Sequence, residues 1–350
     1  MSGKLKVAVL FGGQSSEYSV SLHSAGSALR AMPDDYEVYT FGITNDGHWY
    51  QYEGSVDAIE HDHWREGKVC PATLSLDPGD HGFLVRRNGN TELIKVDVLF
   101  PILHGIRGED GTVQAAAELA GIPCVGCGMT SSAICMDKEY THLVVEAAGI
   151  KMAKWFCVRE EEKEDPDMLY EKAEAMFGMP CIIKPCNAGS SYGVTKAKDR
   201  ESFKEGLVDA FRYDRKLIVE EFVNGFEVGC AVLGKVHPIL GEPDEIEIST
   251  DIFDFTEKYN LITSKIHVPA RISTAMKEKV YDSVRKVYRA LDCEGMARVD
   301  SFVVGEEVYL NEVNTIPGFT SASRYPSMMK AIGYEFTDVI RLLVNDALGR

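Results

Sequence analysis

No Gly-Lys pair in the chain is followed by Ser or Thr, so the phosphate-cradling loop of Walker-type nucleotide-binding folds is absent. Long hydrophobic runs are missing as well. The stretch Val7 to Phe11 is cut short by Gly-Gly, too brief for a signal-peptide core or a membrane span, and a cytoplasmic protein that does not engage membranes is the expectation. Basic residues are scarce, 37 Lys and Arg against 54 Asp and Glu, and the net charge of -17 would repel a polyanionic partner such as duplex DNA, so no nucleic-acid role is expected. A disulfide framework is excluded too: the nine cysteines are odd in number and scattered, and Cys124, Cys135, Cys181 and Cys230 sit in apolar runs that suit buried, reduced thiols. The one C-x-x-C, Cys124 and Cys127, has no second ligand pair at zinc-like spacing. Repeats, linkers and low-complexity tracts are likewise lacking.

What is present is a globular composition over 350 residues, enough for two or three domains of mixed α/β type. Lys4 to Phe11 reads as a buried strand, followed by a Gly-rich turn, a helix from about Ser19 to Ala31 and a strand from Tyr36 to Ile43, which makes a βαβ unit. Residues 45–95 read as a polar, irregular insertion, after which Val96 to Leu103 returns to an apolar strand. The first lobe closes near residue 125. A small α+β region of shorter elements follows to about 216. The remainder, 217–350, alternates acidic and apolar residues in strands and holds one amphipathic helix on Met276, Val280, Val284, Val287 and Leu291. Three domains are predicted: 1–125, 126–216 and 217–350.

Three constellations carry chemistry. Ile182-Ile183-Lys184-Pro185 followed by Asn187 to Gly193 is a strand whose lysine precedes a small-residue loop, a pattern that lets backbone N–H groups approach phosphate oxygens beside a point charge; read alone, it also fits a plain hairpin turn. Glu220-Glu221-Phe222-Val223 with Glu227 offers carboxylates to an adenine amino group and a ribose, or else solvated edge charges. Arg298 and Asp300 share one face of a strand, and Glu312 and Asn314 share a face of the next, a set of hard oxygen ligands that Mg²⁺ needs when it also holds nucleotide phosphates. By contrast, Gly126-Cys127-Gly128 is only a fragment of a dinucleotide fingerprint, with Ser131 where the third glycine belongs.

With these residues in place, the whole chain resembles the D-alanyl-D-alanine ligase family of ATP-grasp enzymes. The resemblance runs through Phe11-Gly12-Gly13 with Glu17, His104-Gly105 to Gly108-Glu109-Asp110-Gly111, Met136-Asp137-Lys138, Lys184 to Gly193, Glu220 to Glu227, and Asn311 to Thr315 continuing through Pro317-Gly318-Phe319-Thr320-Ser321. It implies an α/β (α+β) ATP-grasp fold with an N-terminal Rossmann-like lobe. It also implies a homodimer that makes a D,D-dipeptide for peptidoglycan precursors. ATP would contact Lys138, Lys184, Ser190, Ser191, Glu220, Glu221, Val223, Glu227, Lys258, Phe302 and Asn311. Two Mg²⁺ ions, replaceable by Mn²⁺, would be held by Asp300, Glu312 and Asn314. D-Alanine, its ammonium paired with Glu17, would become an acyl phosphate, and Arg298 with the Gly318 N–H would stabilise the tetrahedral oxyanion of the second step. Glu17, Ser190 and Tyr259 match the family's hydrogen-bonded trio, His104 matches a histidine close to the substrates, and a loop from about 249 to 264 would close over the site.

The second substrate is read from finer likeness. Lys258-Tyr259 goes with amine nucleophiles rather than D-lactate. Asp244 to Glu247, Phe253-Asp254, Thr256 to Tyr259, Ser323-Arg324-Tyr325-Pro326 and Met328-Met329-Lys330 resemble the G-type D-alanyl-D-serine ligases of vancomycin resistance, in which the positions of Asp244, Phe253 and Arg324 shape the second subsite, with Ser323 and Lys258 beside it. D-Serine is therefore the expected second substrate, with a second D-alanine as the alternative. A glutathione-synthetase-like ligase and a non-catalytic amino-acid or nucleotide sensor fit less well, because the Glu17 motif, the His104 loop, Arg298 and the metal carboxylates are all present.

Overall fold

The computed structural model describes residues 3–189, 192–247 and 265–349. Its first sheet has strand order β6-β5-β4-β3-β2-β1-β7, from β1 (Leu5–Gly12), β2 (Tyr36–Ile43), β3 (Trp49–Glu53), β4 (Lys68–Leu74), β5 (Gly82–Arg87), β6 (Asn90–Lys95) and β7 (Val98–Pro101). The strands β2, β1 and β7 run parallel. Val7 through Phe11 are fully buried, as a parallel strand covered on both faces requires. Helix α1 (Tyr18–Arg30) crosses between β1 and β2, as the βαβ reading anticipates.

The expectation for 45–95 is overturned. Those residues build β3 to β6 with the short helix α2 (Val56–Glu60), and the strands extend the sheet as an antiparallel meander. Their strands are short and one-sided, with Phe83 and Val85 buried between exposed or half-exposed neighbours. Single apolar residues between polar ones read as loop until their partner strands are known.

Two further sheets follow along the chain. One has order β10-β9-β11-β8, from β8 (Trp155–Arg159), β9 (Cys181–Pro185), β10 (Thr195–Ala197) and β11 (Lys216–Glu221), backed by α6 (Pro166–Phe177) and α7 (Arg200–Ala210). The other has order β15-β14-β12-β16-β17, from β12 (Phe226–Leu233), β14 (Asp244–Glu247), β15 (Lys265–His267), β16 (Met296–Val304) and β17 (Glu307–Asn314), with β13 (Ile239–Leu240) paired to β12. Between the first and second sheets come α3 (Thr112–Leu119), α4 (Met129–Met136) and α5 (Lys138–Ala147). Cys127, Cys135 and Val145 of the α4–α5 segment share an apolar cluster with Val284, Val287 and Val313. This segment thus packs on the third sheet.

Helix α8 (Thr274–Ala290) buries Met276, Val280, Val284 and Val287 in that cluster, as its three- and four-residue spacing predicts, with Leu291 just beyond its end. Ser273 caps it by accepting from the Met276 N–H. Helices α9 (Arg324–Ala331) and α10 (Phe336–Ala347) return to the first sheet, where Tyr325, Met328, Ile340 and Val344 join Val7, Val9 and Phe100 in one core. All nine cysteines are free thiols. No helix among the described residues is long and apolar enough to cross a membrane.

Candidate active site

One wall of the site is built on β9, β11 and the start of α5. Alternation along β9 turns Cys181, Ile183 and Pro185 into the core and leaves Lys184 on the opposite face. The Lys184 Nζ lies 2.6 Å from Glu220 Oε2 and donates to Asn311 Oδ1 at 3.3 Å, so this lysine ties the second sheet to β17 of the third. Asp137 caps α5 by accepting from the Glu139 N–H, and Lys216 anchors Asp137 at 2.7 Å. Lys138, the first residue of the helix, donates to the Ala188 carbonyl at 2.9 Å in the small-residue loop. One turn later His142 is buried with its Nε2 2.9 Å from Glu220 Oε1. Burial pushes the Glu220 carboxyl up, but Lys184 and His142 outweigh it and hold the group down at about 2.

The opposite wall is the β16–β17 pair. Asp300 lies across from Glu312 and Arg298 across from Asn314, with a register shift after Asp300. Arg298 donates to Asp300 at 2.9 and 2.7 Å, and Asn314 Nδ2 donates to Asp300 Oδ2 at 2.9 Å. Arg324, at the first turn of α9, forms a two-pronged pair with Asp244 at 2.7 and 2.8 Å and reaches Glu227 at 3.0 Å. Asp244 is wholly buried and also accepts from the Gly229 N–H. A Cβ at Gly229 would press on the ends of Arg324, Asp244 and Asp300 together and would have to shift that buried ion cluster. Burial opposes the charge on Arg324, yet Asp244 and Asp300 keep its guanidinium protonated.

The loop after β7 closes the far end. His104 contacts Ser24 Oγ at 2.9 Å through Nε2 and the Ile316 carbonyl at 3.0 Å through Nδ1. Glu109 accepts from the Ile316 N–H at 3.0 Å and the Gly105 N–H at 3.2 Å. The Ile316 peptide, two residues before Gly318, is thereby gripped at both its N–H and its C=O. Burial raises the Glu109 carboxyl to about 7, with Glu17 and Glu312 adding to the rise. Burial likewise keeps His104 neutral, against the pull of Glu17. Glu17 is buried at the N-cap of α1, where a Cβ on either Gly105 or Gly189 would come within 2.7 Å of its carboxylate. A side chain at either glycine would have to displace the Glu17 carboxylate.

Between these walls lies a cleft lined by Glu109, Lys138, His142, Asn311, Glu312 and Asn314. Among the described residues no group of three or more His, Cys, Asp or Glu side chains is arranged to hold a metal ion. The oxygen set that fits Mg²⁺ is two carboxylates and one amide: Asp300 and Glu312 face each other across neighbouring strands, and Asn314 touches Asp300. Ser323 precedes α9, its hydroxyl bonded to the Thr320 turn at 3.1 Å. Glu221 accepts from the Lys154 N–H, Val223 follows at the half-buried end of β11, and Phe302 pairs with Glu227 across β12 and β16. Ser190, Ser191, Phe253, Lys258, Tyr259 and the 249–264 loop lie outside the described residues.

The sequence matches the family described as D-ala D-ala ligase N-terminus over residues 6–127 and that described as D-ala D-ala ligase C-terminus over residues 144–345. The chain belongs to the D-alanine–D-alanine ligase family. The D-alanine–D-alanine ligase of Acetivibrio thermocellus is 43% identical over 100% of this chain and 97% of its own length. The crystal structure of the VanG D-Ala:D-Ser ligase from Enterococcus faecalis superposes with a TM-score of 0.90 at 44% identity, covering 98% of this chain and 99% of that one. The D-alanine–D-alanine ligase of Coxiella burnetii gives 0.87 at 30% identity, covering 100% and 95%. The expected ATP-grasp architecture is therefore present, and the protein is an ATP-dependent ligase of this family.

Two residues of this ligase site escaped the sequence reading as site residues. His142 falls four residues after Lys138, the spacing that puts both on one helix face. Glu109 follows His104 by five residues in the same loop, and its acceptor role depends on Ile316, more than two hundred positions away.

Proposed function

We propose that the ligase joins D-alanine to D-serine through a D-alanyl phosphate. Lys138 and Lys184 neutralise the phosphates of ATP, with Glu220, Glu221, Val223 and Glu227 around base and ribose and Phe302 and Asn311 packing beside them. Glu17 pairs with the ammonium of the first D-alanine, presenting its carboxylate for phosphorylation. Asp300, Glu312 and Asn314 hold Mg²⁺, which when bound neutralises charge on the transferring phosphoryl group. Arg298 and the Gly318 N–H face the oxyanion that forms when the second amine attacks, and the His104–Glu109 grip on Ile316 fixes the chain segment leading to that N–H.

The preference for D-serine rests on the buried Arg324–Asp244 pair. Arg324 starts α9 and Asp244 starts β14, polar groups where a dry aliphatic wall would suit a second D-alanine. A pocket that only tolerates an added hydroxyl discriminates about a hundredfold at best, whereas one built to bond it can do better. The likeness to the VanG D-Ala:D-Ser ligase supports the same reading, while the names of relatives such as the Acetivibrio thermocellus enzyme favour D-alanine as acceptor. Purified protein given ATP, Mg²⁺ and equal concentrations of D-alanine and D-serine is expected to yield mainly D-alanyl-D-serine by mass spectrometry. A predominance of D-alanyl-D-alanine would transfer the assignment to the D-alanine-adding members of the family.

A further inference from the structure

The proposed reaction gives Lys216 no part, yet its ammonium is buried beside the N-terminus of α5, where a helix end favours acids over bases. It is held there by the residues on either side of Lys138, donating to Asp137 Oδ1 at 2.7 Å and to Glu139 Oε2 at 2.8 Å. Burial works against its charge, and these two acids outweigh burial and raise its pKa. Arg159, the partner of Lys216 across β8 and β11, holds the same Glu139 carboxylate with two bonds of 2.9 Å. Two cations facing each other on paired strands repel, so the acids of α5 are what keeps them together. The main chain repeats the link. The Lys216 carbonyl accepts from the Cys186 N–H at 2.9 Å, and the Cys186 carbonyl accepts from the Lys138 N–H at 3.1 Å. Asp214 braces the same turn, accepting from the Asn187 N–H at 2.7 Å and the Lys216 N–H at 3.3 Å.

We infer that Lys216 is a positioning residue for the phosphate side of the ligase site: its ammonium clamps the first turn of α5 to the start of β11, which sets where Lys138 enters the cleft. Residues 137, 138 and 139 are each held by Lys216, the outer two through its ammonium and the middle one through Cys186. Lys138 lines the cleft, and its own Nζ rests on a neutral acceptor, the Ala188 carbonyl at 2.9 Å. A lysine that neutralises phosphate acts through distance, so a displaced helix start weakens it without touching the chemistry elsewhere. Lys184 is set by other contacts, its place on β9 opposite Ile218 of β11 and its pair with Glu220. The clamp therefore works on one of the two phosphate-side lysines, and its loss reaches the nucleotide through Lys138.

This inference rests on the reading that Lys138 meets the phosphates, and its test separates the two. ATP affinity is measured by equilibrium binding without amino acid, and the KM values for ATP and D-alanine by phosphate release. The proteins are wild type, Lys216→Met, Lys216→Arg, Lys138→Met and the double variant Lys138→Met/Lys216→Met. Lys216→Met is expected to weaken ATP binding and raise the KM for ATP about tenfold, with the KM for D-alanine unchanged and kcat within about threefold. Lys216→Arg keeps the charge and its donors, and should stay within about threefold of wild type. In the Lys138→Met background, Lys216→Met should add less than about twofold, because the two act on one contact. Wild-type ATP affinity in Lys138→Met would overturn the Lys138 reading and this inference with it. A loss in Lys138→Met with a change below about twofold in Lys216→Met would overturn the inference alone, as would a full additional loss in the double variant. Removing one partner of a buried pair can unfold a protein, so Asp137→Asn/Lys216→Met, in which both charges leave and Asn still caps the helix, is compared with Asp137→Asn. There a further loss of about fivefold in ATP affinity is expected, and equal affinity within about twofold would overturn the inference.

Discussion

Glu220 and Glu109 are the same residue type, the first buried and the second half-buried, and their carboxyls are driven in opposite directions, one down to about 2 and the other up to about 7. Hydrogen bonds lower both carboxyls, since Glu109 also accepts from two backbone N–H groups. What differs is formal charge in reach. Glu220 faces the Lys184 ammonium, whereas Glu109 faces the carboxylates of Glu17 and Glu312. One wall therefore carries cations and the other gathers carboxylates.

The largest effect is expected from Glu312→Gln, which removes one acid from the second wall without changing its shape. Turnover should fall at least a hundredfold with the circular dichroism spectrum intact; near-normal turnover would detach Glu312 from the metal role. Next is Lys184→Met on the first wall. It strands a buried carboxylate with only a histidine beside it, and breaking such a pair from one side costs about 3–5 kcal/mol, read from urea unfolding. A loss below about 1 kcal/mol would mean that Lys184 does not hold Glu220 as drawn.

A smaller, pH-dependent effect belongs to Glu109. Its folded value of about 7 stands above an unfolded value near 4.5, so the unfolded chain gives up its proton first as pH rises. No penalty exists below about pH 4.5; it grows up to pH 7 and then stays, at a ceiling of about 3 kcal/mol. Glu109→Gln should therefore gain stability relative to wild type between pH 5 and pH 8, in chelator and without nucleotide. Parallel melting curves across that range would show that the second wall is not acid-loaded.

The two walls also differ in how far they could be read from sequence. Arg298, Asp300, Glu312 and Asn314 were legible because period-two alternation on two adjacent strands predicts a shared face, and the observed register pairs them directly. Lys184 was legible from the small-residue loop it precedes, and Lys138 only through the family resemblance. Glu220 was seen only as a carboxylate for the nucleotide, since its partners Lys184 and His142 come from another strand and a helix. The Arg324 cluster likewise joins α9, β12, β14 and β16, and nothing local in the sequence specifies that convergence. The antiparallel extension β3–β6 stayed hidden for the same reason, because each strand is amphipathic only against a neighbour supplied by the fold.

The most direct test of the account follows an oxygen atom. If ATP activates D-alanine as an acyl phosphate, one carboxylate oxygen must leave with the phosphate when the second amine attacks. D-Alanine labelled with ¹⁸O in its carboxylate, incubated with ATP, Mg²⁺ and D-serine, should yield inorganic phosphate carrying one ¹⁸O for each dipeptide formed. Dipeptide accompanied by unlabelled phosphate would contradict it.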